Sequence, residues 1–289
     1  MTEQRERDQT LIFLHIQKTG GTTLHRIIER HYPPEEIYFF DAWQFTFEHF
    51  TGLSEEERAG FRMLRGHMVF GMHEYLQRPS TYFTVLRDPV ERVISYYYHI
   101  RRDPNHHWHG FVTSNDLDLK AFLKSGKDLG MTDFQTRVLA GGRWHDSPYG
   151  ECPQEALEVA KQHLHERFAV VGLLGRFDDT LLLLKDAFGW QDLFYVRRNV
   201  TRKRPRKYDL SPDTLAAILE ANSLDVQLYE YASEMFDEEV HKRGSGFISR
   251  VRLFQTVNRF LGPLLYGTPQ TGAVQRFAAK RARRWFVGS

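Results

Sequence analysis

An apolar run that ends in a glycine loop lies near the start of the chain and limits the folds that it can adopt. Residues 11–15 form this run, and Lys18-Thr19-Gly20-Gly21-Thr22-Thr23 follows. From Thr22 to His31 apolar residues recur with helical spacing, so a strand, a loop and a helix are predicted in that order. Such a loop directs backbone N–H groups, hydroxyls and an ammonium to one point, which is typical of a site for phosphate or a similar anion. A plain glycine turn is the alternative.

The strand-then-helix pattern occurs twice more. Tyr82–Leu86 is a β-branched and aromatic run that precedes a helix predicted for residues 90–100. Residues 168–174 and 178–188 form the third unit. Strands that alternate with helices predict a parallel sheet, hence an α/β layer fold with ligands at the carboxyl ends of the strands. Both the glycine loop and Arg87-Asp88-Pro89 fall at such ends.

The length of 289 residues favours one large domain over two small ones. Helical periodicity is also found in residues 131–140, 153–167 and 211–236, the last with a break near Asn222, and a long loop is predicted for residues 141–151. Gly244-Ser245-Gly246 marks a joint. We therefore predict a domain over residues 1–243 and a tail over residues 244–289.

The charge of the chain is uneven, although its net value is only +2. The last acidic residue is Glu239, and ten Lys and Arg residues follow it, which leaves 29 basic against 37 acidic residues before them. Apolar residues of the tail recur at spacings of three and four, so a basic amphipathic helical tail is predicted. These positions are Phe247, Val251, Phe254, Val257, Leu261, Val274, Phe277, Ala278, Ala282 and Trp285. Docking on an anionic membrane, binding of a polyanionic acceptor and packing against the acidic body are the three interpretations.

The cysteine content and the start of the chain bear on the compartment. A single cysteine, Cys152, excludes a disulfide within the chain and fits a reducing compartment. The polar residues 1–10 and the short apolar run after them predict neither a signal peptide nor a membrane span. We therefore expect a cytoplasmic protein, with peripheral attachment of its tail to the inner face of the membrane as one option.

The glycine loop differs from that of nucleotide triphosphatases. Their pattern is Gly-x-x-x-x-Gly-Lys-Ser/Thr, whereas Lys18 precedes both glycines here. Asp88, the acidic residue after the second predicted strand, is enclosed by an arginine and a proline, which disfavours a Mg²⁺-bridged phosphoryl group. A small-molecule kinase on a related core is the alternative enzyme.

Three segments in this order resemble the sulfotransferases, in particular the type 2 branch with the hexuronyl 2-O-sulfotransferases and bacterial carbohydrate sulfotransferase-like proteins. They are residues 15–23, Arg65-Gly66-His67 and residues 85–99, and a weaker match runs from Phe168 to Val240. The resemblance implies a P-loop-like three-layer fold with a central, mainly parallel sheet flanked by helices. It also implies transfer of a sulfuryl group from 3'-phosphoadenosine 5'-phosphosulfate (PAPS) to a hydroxyl, by in-line displacement and without a metal.

The resemblance further implies a donor site. Lys18, Thr19, Gly20, Gly21, Thr22 and Thr23 would hold the 5'-phosphosulfate, and Lys18 would stabilise charge on the bridging oxygen as the S–O bond breaks. Arg87 and Ser95 would bind the 3'-phosphate through charge-assisted hydrogen bonds worth about 1.5–3 kcal/mol each. A capping turn is the alternative for Arg87. A basic loop adds three candidates, Arg202, Lys203 and Arg204, for which a solvated charge run is the alternative.

His67 resembles the catalytic base of the family. A neutral imidazole, with a pKa near 6.5, can take the proton of an attacking hydroxyl. His73, six residues later, is the alternative base. Many relatives carry His-Gly-His here, whereas this chain has Arg65-Gly66-His67, so one of the two histidines is missing.

The residues after the second predicted helix offer an acceptor surface, because aromatic rings stack on sugars and cations attract acidic ones. They are Arg101, Arg102, His106, His107, Trp108 and His109. A metal site is disfavoured, since no cysteine or paired carboxylate completes a ligand set, and a solvated loop is the alternative. The resemblance favours a saccharide acceptor, with an acidic one as an option, and no nucleic acid is expected. A non-catalytic adaptor that binds the nucleotide at a membrane surface is the remaining alternative.

Overall fold

A central parallel sheet organises the structure. A computed structural model describes residues 9–41, 43–196 and 205–267, without the side chains of residues 43–45. Within these ranges five strands form one sheet: Thr10–Leu14 (β1), Ile37–Phe40 (β2), Met63–Gly66 (β3), Ser80–Leu86 (β4) and Phe168–Leu173 (β5). The spatial order is β2-β3-β1-β4-β5, and every neighbouring pair is parallel. The predicted α/β fold with a central parallel sheet is confirmed, whereas β2 and β3 are absent from the sequence-based prediction.

The middle strand is β1. All five of its residues are buried, as expected for a parallel strand that is covered on both faces. Leu14 pairs with Gly66 of β3, and Phe13 pairs with Phe83 of β4. The chain builds β2 and β3 on one side of β1 and then crosses to β4 on the other side. Open α/β sheets bind ligands at such a switch point, outside the carboxyl ends of the strands.

Helices flank the sheet. Within the described ranges they are Gly21–Ile28 (α1), Trp43–Gly52 (α2), Glu55–Ala59 (α3), Pro89–Arg102 (α4), His109–Ser114 (α5), Leu119–Lys124 (α6), Phe134–Ala140 (α7), Gly142–His145 (α8), Gln154–Arg167 (α9), Phe177–Phe188 (α10), Pro212–Ala221 (α11) and Ser223–Tyr266 (α12). The predicted helices after β1, β4 and β5 are confirmed, as is the break at Asn222. The helix predicted for residues 131–140 begins only at Phe134, because residues 129–131 form a 3-10 turn. The loop predicted for residues 141–151 contains α8.

Two apolar cores support these layers. The larger surrounds the sheet and includes the buried faces of α1, α9, α10 and α12. The smaller contains no strand residue and is formed by α4, α5, α6 and α11 around Tyr97, Phe122 and Ile218. Helix α4, which follows Arg87, is therefore held by a helical platform beside the sheet.

Helix α12 is interrupted at Gly244, where φ is 71° and ψ is −170°. Beyond this point Phe247 and Val251 are buried in the larger core. The Oδ1 atom of Asn258 accepts a hydrogen bond from the backbone N–H of Tyr195 at 2.8 Å. Residues 245–266 therefore pack against the acidic body. No helix in the described part of the chain is long and apolar enough to cross a bilayer.

The predicted second tail helix, with Val274, Phe277, Ala278, Ala282 and Trp285, lies outside the described residues. The predicted domain limit at residue 243 stays a prediction.

A buried polar network holds α7 between α12 and α4. Asp225, at the start of α12, accepts hydrogen bonds from the backbone N–H groups of Gln135 and Thr136 at 3.1 and 2.7 Å. Arg92 of α4 lies 3.9 Å from the same carboxylate, and both side chains are fully buried. Burial lowers the pKa of Arg92, and Asp225 is the strongest of the groups that oppose this. The pair therefore fixes the start of α7.

We expect Asp225→Ala to lower the free energy of unfolding by about 3–5 kcal/mol, because Arg92 would stay buried without this carboxylate. Urea denaturation followed by circular dichroism measures the change. The control is Asp213→Ala, which removes an exposed carboxylate that pairs with Lys120 and should leave the midpoint unchanged. A loss below about 1 kcal/mol for Asp225→Ala would contradict the importance given to this network.

Candidate active site

The loop between β1 and α1 leaves the N-terminus of a helix open. Gly20 is the N-cap residue of α1 in a left-handed conformation, with φ 93°, and no side chain caps this helix. Lys18 has φ 70°, a conformation that costs a residue with a Cβ about 1–2 kcal/mol. The Thr19 hydroxyl donates to the carbonyl of Ile16 at 2.8 Å, so this side chain stabilises the loop itself. The start of α1 thus presents N–H groups and the positive end of its dipole to an anion.

Three imidazole rings pack beside this loop. The rings of His15 and His67 are stacked with centroids 4.6 Å apart, and His15 Nδ1 lies 3.1 Å from His25 Nε2. Gly21 leaves room for this packing, since a Cβ there would lie 1.9 Å from His15 Nε2. A second imidazole therefore lies beside His67, and it belongs to the residue that follows β1.

His67 is fixed at the carboxyl end of β3. Gly66 has φ 127°, and a Cβ there would lie 2.2 Å from the carbonyl oxygen of Phe40. The Nδ1 atom of His67 is 3.1 Å from the carbonyl oxygen of His15. Because a carbonyl only accepts, Nδ1 carries the proton of the neutral ring and Nε2 keeps its lone pair. Burial lowers the pKa of His67, the hydrogen bond to His15 opposes this, and the charge of Lys18 lowers it further. The ring is therefore neutral at pH 7.

His73, the alternative base, lies elsewhere on the sheet. Its backbone N–H donates to Tyr82 Oη at 2.9 Å, and its Nδ1 is also 2.9 Å from that oxygen. Tyr82 precedes Leu86, the end of β4, by four residues, or about 13 Å along the strand. His67 lies at the carboxyl edge of the sheet, whereas the contact of His73 is near the opposite end of β4.

Arg65, two residues before His67, contacts α1. Its guanidinium donates to the carbonyl of His25 at 2.9 Å and to Glu29 Oε1 at 2.7 Å, and it lies over the Phe39 ring. Burial and the charge of Arg65 lower the pKa of His25 to about 3. Arg65 therefore holds α1 on β3, and it adds to the burial that keeps His25 neutral.

Arg87 connects the end of β4 to the glycine loop. Its Nη1 donates to the carbonyl of Lys18 at 3.0 Å, and its Nη2 donates to Glu91 Oε2 at 3.2 Å. The side-chain amide of Gln135 pairs with the backbone N–H and C=O of Arg87, both at 3.0 Å. Asp88 caps α4 by accepting from the Glu91 N–H at 2.9 Å. The capping turn that was the alternative for this segment is thus present, and Arg87 also reaches the loop of the predicted donor site.

The charge of Lys18 acts on α4 as well as on His67. After burial, Lys18 is the strongest cause that lowers the pKa of His99 to about 4. His99 follows Ser95 by one helical turn, so both lie on the same side of α4. His99 is absent from the predicted site residues, although its spacing from Ser95 is a signal that could have found it. Lys18, His67 and the Ser95–His99 side of α4 therefore belong to one edge of the sheet.

The histidine-rich segment after α4 extends this edge. The rings of His106 and His107 are stacked at 4.5 Å, and His106 meets His99 edge-on at 5.7 Å. Burial, then the neighbouring His107, lowers the pKa of His106, and Lys18 contributes. In the described part of the chain, no three His, Cys, Asp or Glu side chains are arranged to hold a metal ion.

The predicted basic residues Arg202, Lys203 and Arg204 lie outside the described residues. Both flanks of this segment contact the same edge. Val196 lines a cavity of about 320 Å³ together with the two threonines at the start of α1. On the other flank, the backbone N–H of Lys207 donates to Glu91 at 3.0 Å, and its Nζ donates to Asp88 at 3.2 Å.

The sequence is similar to known carbohydrate sulfotransferases. The model of the galactose-3-O-sulfotransferase family matches residues 2–263. Human galactose-3-O-sulfotransferase 3 is 28% identical over 272 residues, which cover 85% of this chain and 60% of the human protein. Mouse galactosylceramide sulfotransferase is 27% identical, and the match covers 86% of this chain and 61% of the mouse protein. A heparan sulfate 2-O-sulfotransferase of Caenorhabditis elegans is also 27% identical, and the match covers 58% of this chain and 56% of that protein. The chain spans about three fifths of the length of these relatives.

Proposed function

This chain belongs to the galactose-3-O-sulfotransferase family, and we propose that it transfers a sulfuryl group from PAPS to a hydroxyl of a saccharide. The observation that carries the proposal is the approach of Lys18, His67 and Arg87 from three neighbouring parallel strands. The names of the relatives specify galactose, galactosylceramide and heparan sulfate, which supports a saccharide acceptor. A kinase is disfavoured because the lysine precedes the glycines.

The open start of α1 fits the anionic end of the donor. The first turn of this helix contains no acidic residue, so N–H groups and the Lys18 ammonium can surround a phosphosulfate without opposing charge. When bound, PAPS supplies an activated sulfuryl group. Arg87 is held by the Lys18 carbonyl and by Glu91, which prepares its guanidinium to bind the 3'-phosphate together with Ser95. Thr22 and Thr23, in the first turn of α1, line a neighbouring cavity.

The transfer proceeds by in-line displacement. The acceptor oxygen attacks the sulfur while the bond from sulfur to the bridging oxygen breaks. The proton of the acceptor hydroxyl passes to Nε2 of His67, which is available because Nδ1 donates to the carbonyl of His15. The electron pair of the broken bond remains on the leaving phosphate, where the Lys18 ammonium stabilises it. The products are adenosine 3',5'-bisphosphate and the sulfated saccharide.

We expect Arg87→Ala to weaken the binding of adenosine 3',5'-bisphosphate about 10- to 100-fold, the loss of one charge-assisted hydrogen bond. Isothermal titration calorimetry measures the affinity. Arg78→Ala, an exposed arginine before the amino end of β4, is the matched control and should bind as the wild type does. Equal affinities for Arg87→Ala and the wild type, or tighter binding of ATP than of the bisphosphate, would contradict the proposal.

We expect His67→Ala to lower kcat about 100- to 10,000-fold with an unchanged affinity for the bisphosphate, since it removes the base and no donor contact. The pKa of His67 lies below 6.5, and the base acts when neutral. The rate should therefore be constant from pH 7 to 8 and fall only as the pH drops below about 6.5. Transfer of labelled sulfate across this range measures both effects.

The control for this experiment is His73→Ala, which should keep most of the activity because His73 bonds to Tyr82 away from the site. If His73→Ala rather than His67→Ala abolished transfer, the base would be misassigned. Full activity of His67→Ala, or a rate that declines above pH 7, would also refute this role. A non-catalytic adaptor would show no transfer in any variant.

We propose in addition that the enzyme is cytoplasmic and attaches to an anionic membrane surface through α12. Leu253, Phe260 and Leu264 are 62%, 69% and 45% exposed. Their spacings of seven and four residues place them in one stripe, opposite the buried Phe247 and Val251. The exposed Arg252 and Arg259 flank the stripe. An exposed apolar stripe with arginines beside it favours the interface of an anionic bilayer.

The double variant Leu253→Glu/Phe260→Glu should bind vesicles with anionic phosphatidylserine at least about fivefold less than the wild type, because it places charges on the apolar stripe. Cosedimentation measures bound protein. The matched control is Leu219→Glu, which changes an exposed leucine of α11. Unchanged binding of the double variant, or equal binding of the wild type to neutral phosphatidylcholine vesicles, would exclude this surface.

A further inference from the structure

Four stacked rings connect the core of the sheet to His67. Phe83 of β4 stacks on Phe13 of β1, with centroids 5.0 Å apart and planes inclined by 10°. Phe13 stacks on His15 at 5.4 Å and 20°, and His15 stacks on His67 at 4.6 Å and 26°. The backbone N–H of His15 extends the ladder to β3 by donating to the carbonyl of Gly66 at 3.0 Å. Since Phe13 and Phe83 are buried, this ring column is fixed at its inner end.

Helix α1 holds the His15 ring from a second side. His15 Nδ1 lies 3.1 Å from His25 Nε2, and the two rings meet edge-on with centroids 4.9 Å apart. His25 in turn packs edge-on against Phe13 at 5.3 Å and against Phe39 at 5.4 Å. The start of α1 is so close that a Cβ at Gly21 would lie 1.9 Å from His15 Nε2. The His15 ring therefore cannot turn without losing the contact with His25 or meeting the backbone of α1.

The hydrogen bond of His67 fixes one ring nitrogen but leaves the plane of the ring open. The torsion that turns an imidazole about its Cβ–Cγ bond has broad minima, so the backbone alone does not set this plane. Nδ1 is held by the carbonyl of His15, and a tilt of the ring about this bond would move Nε2 while keeping the bond. The stacked ring of His15 blocks such a tilt on one face. A general base must approach the proton that it takes, and a misplacement of about 1 Å can cost about 100-fold in rate.

His15 stays uncharged beside a ring that takes up a proton. Burial is the main cause that holds the pKa of His15 well below its usual value, and the neighbouring His67 and His25 lower it further. A charged His15 would repel the imidazolium that forms on His67, whereas a neutral ring offers only its face. The other groups that act on the three imidazoles are Lys18 of the glycine loop, Asp41 after β2 and Arg65 of β3.

We propose that His15 is a positioning residue for the base, because its ring sets the plane of the His67 imidazole while its carbonyl fixes Nδ1. Nε2 of His67 then faces the acceptor hydroxyl before any substrate binds. The inference rests on the proposed sulfuryl transfer with His67 as the base. His15 acts through His67 and takes no proton itself, and His25 holds His15 in place.

Transfer of labelled sulfate from PAPS to lactose by the full chain tests this role. His15→Ala should lower kcat about 10- to 100-fold and leave the KM for PAPS unchanged, since it misplaces the base and removes no donor contact. His15→Phe keeps a ring in the column and should be at least about fivefold faster than His15→Ala. In a His67→Ala background, His15→Ala should lower kcat by less than about twofold more, because the two residues act as one unit.

The pH dependence separates positioning from a general loss of structure. In His15→Ala water reaches the His67 ring, so the burial that lowers its pKa is weaker. The base acts when neutral, and the acidic limb of the kcat profile should therefore move to higher pH. In His15→Phe the limb should stay where it is in the wild type. Nuclear magnetic resonance of labelled histidine follows the same titration of His67 without an acceptor, with adenosine 3',5'-bisphosphate bound.

The matched control is His163→Ala. His163 of α9 also stacks on a phenylalanine, Phe70, at 3.6 Å, and its Nδ1 also lies 2.9 Å from a carbonyl, that of Leu139. This variant should keep the kcat and the pH profile of the wild type. Thermal melting identifies a variant that fails to fold, and His15→Leu, which keeps most of the volume without a planar ring, then replaces His15→Ala in the comparison of kcat.

The outcomes distinguish the role of His15 from the proposed transfer. A wild-type kcat for His15→Ala, an additive loss in the double variant or an unmoved titration of His67 overturns the inference. If His67→Ala is inactive while His15→Ala is as active as the wild type, the base stands and only the role of His15 falls. Full activity of His67→Ala refutes the base itself. If lactose is not sulfated by the wild type, the titration of His67 decides the role of His15.

Discussion

The pairing of β1 with a parallel strand on each side is the constraint on which the rest of the site depends. Opposite Leu14, the register places Gly66, so the carbonyl of the next residue, His15, meets the ring of His67. On the other side β4 carries Arg87 to the carbonyl of Lys18. A shift of one residue in either ladder would invert the strand faces and separate these groups. The positions of Lys18, His67 and Arg87 thus depend on the backbone hydrogen bonds that pair β1 with β3 and with β4.

The parts of the fold that were predictable from the sequence are those with long apolar runs or clear breaks. β1, β4 and β5, the helices after them and the break at Asn222 follow from periodicity and capping. β2 and β3 have only four residues each, which is too short for a clear pattern. β3 also contains Arg65, and a charged residue argues against a buried strand unless its hydrogen bond to Glu29 is known. The side of α4 that carries His99 could be inferred from its spacing of four residues after Ser95. The closeness of His99 to Lys18 depends on contacts between distant segments, which no local pattern contains.

Two carboxylates lie beside the proposed anion site, and each is engaged by other groups of the protein. Asp88 accepts from the Glu91 N–H at the start of α4 and from Lys207 Nζ. Glu91 accepts from the Lys207 N–H and from Arg87. They therefore orient cations rather than face the ligand. The three imidazoles next to Lys18 add no positive charge, since burial keeps His15, His25 and His67 neutral. The site concentrates positive charge on groups whose positions are fixed before any ligand arrives.

The bond between Arg65 and Glu29 has a consequence for how sequences of this kind can diverge. Arg65 lies on β3, beside β1, and its guanidinium donates to Glu29, the residue after α1, and to the carbonyl of His25. A histidine at position 65 would be too short to span this gap, and Glu29 would lose its partner. Positions 29 and 65 should therefore change together across homologous sequences, with an acid at the first wherever an arginine occupies the second. Such covariation would reflect a change in the contacts that hold α1 on the sheet beside His67, while His67 itself stays the same.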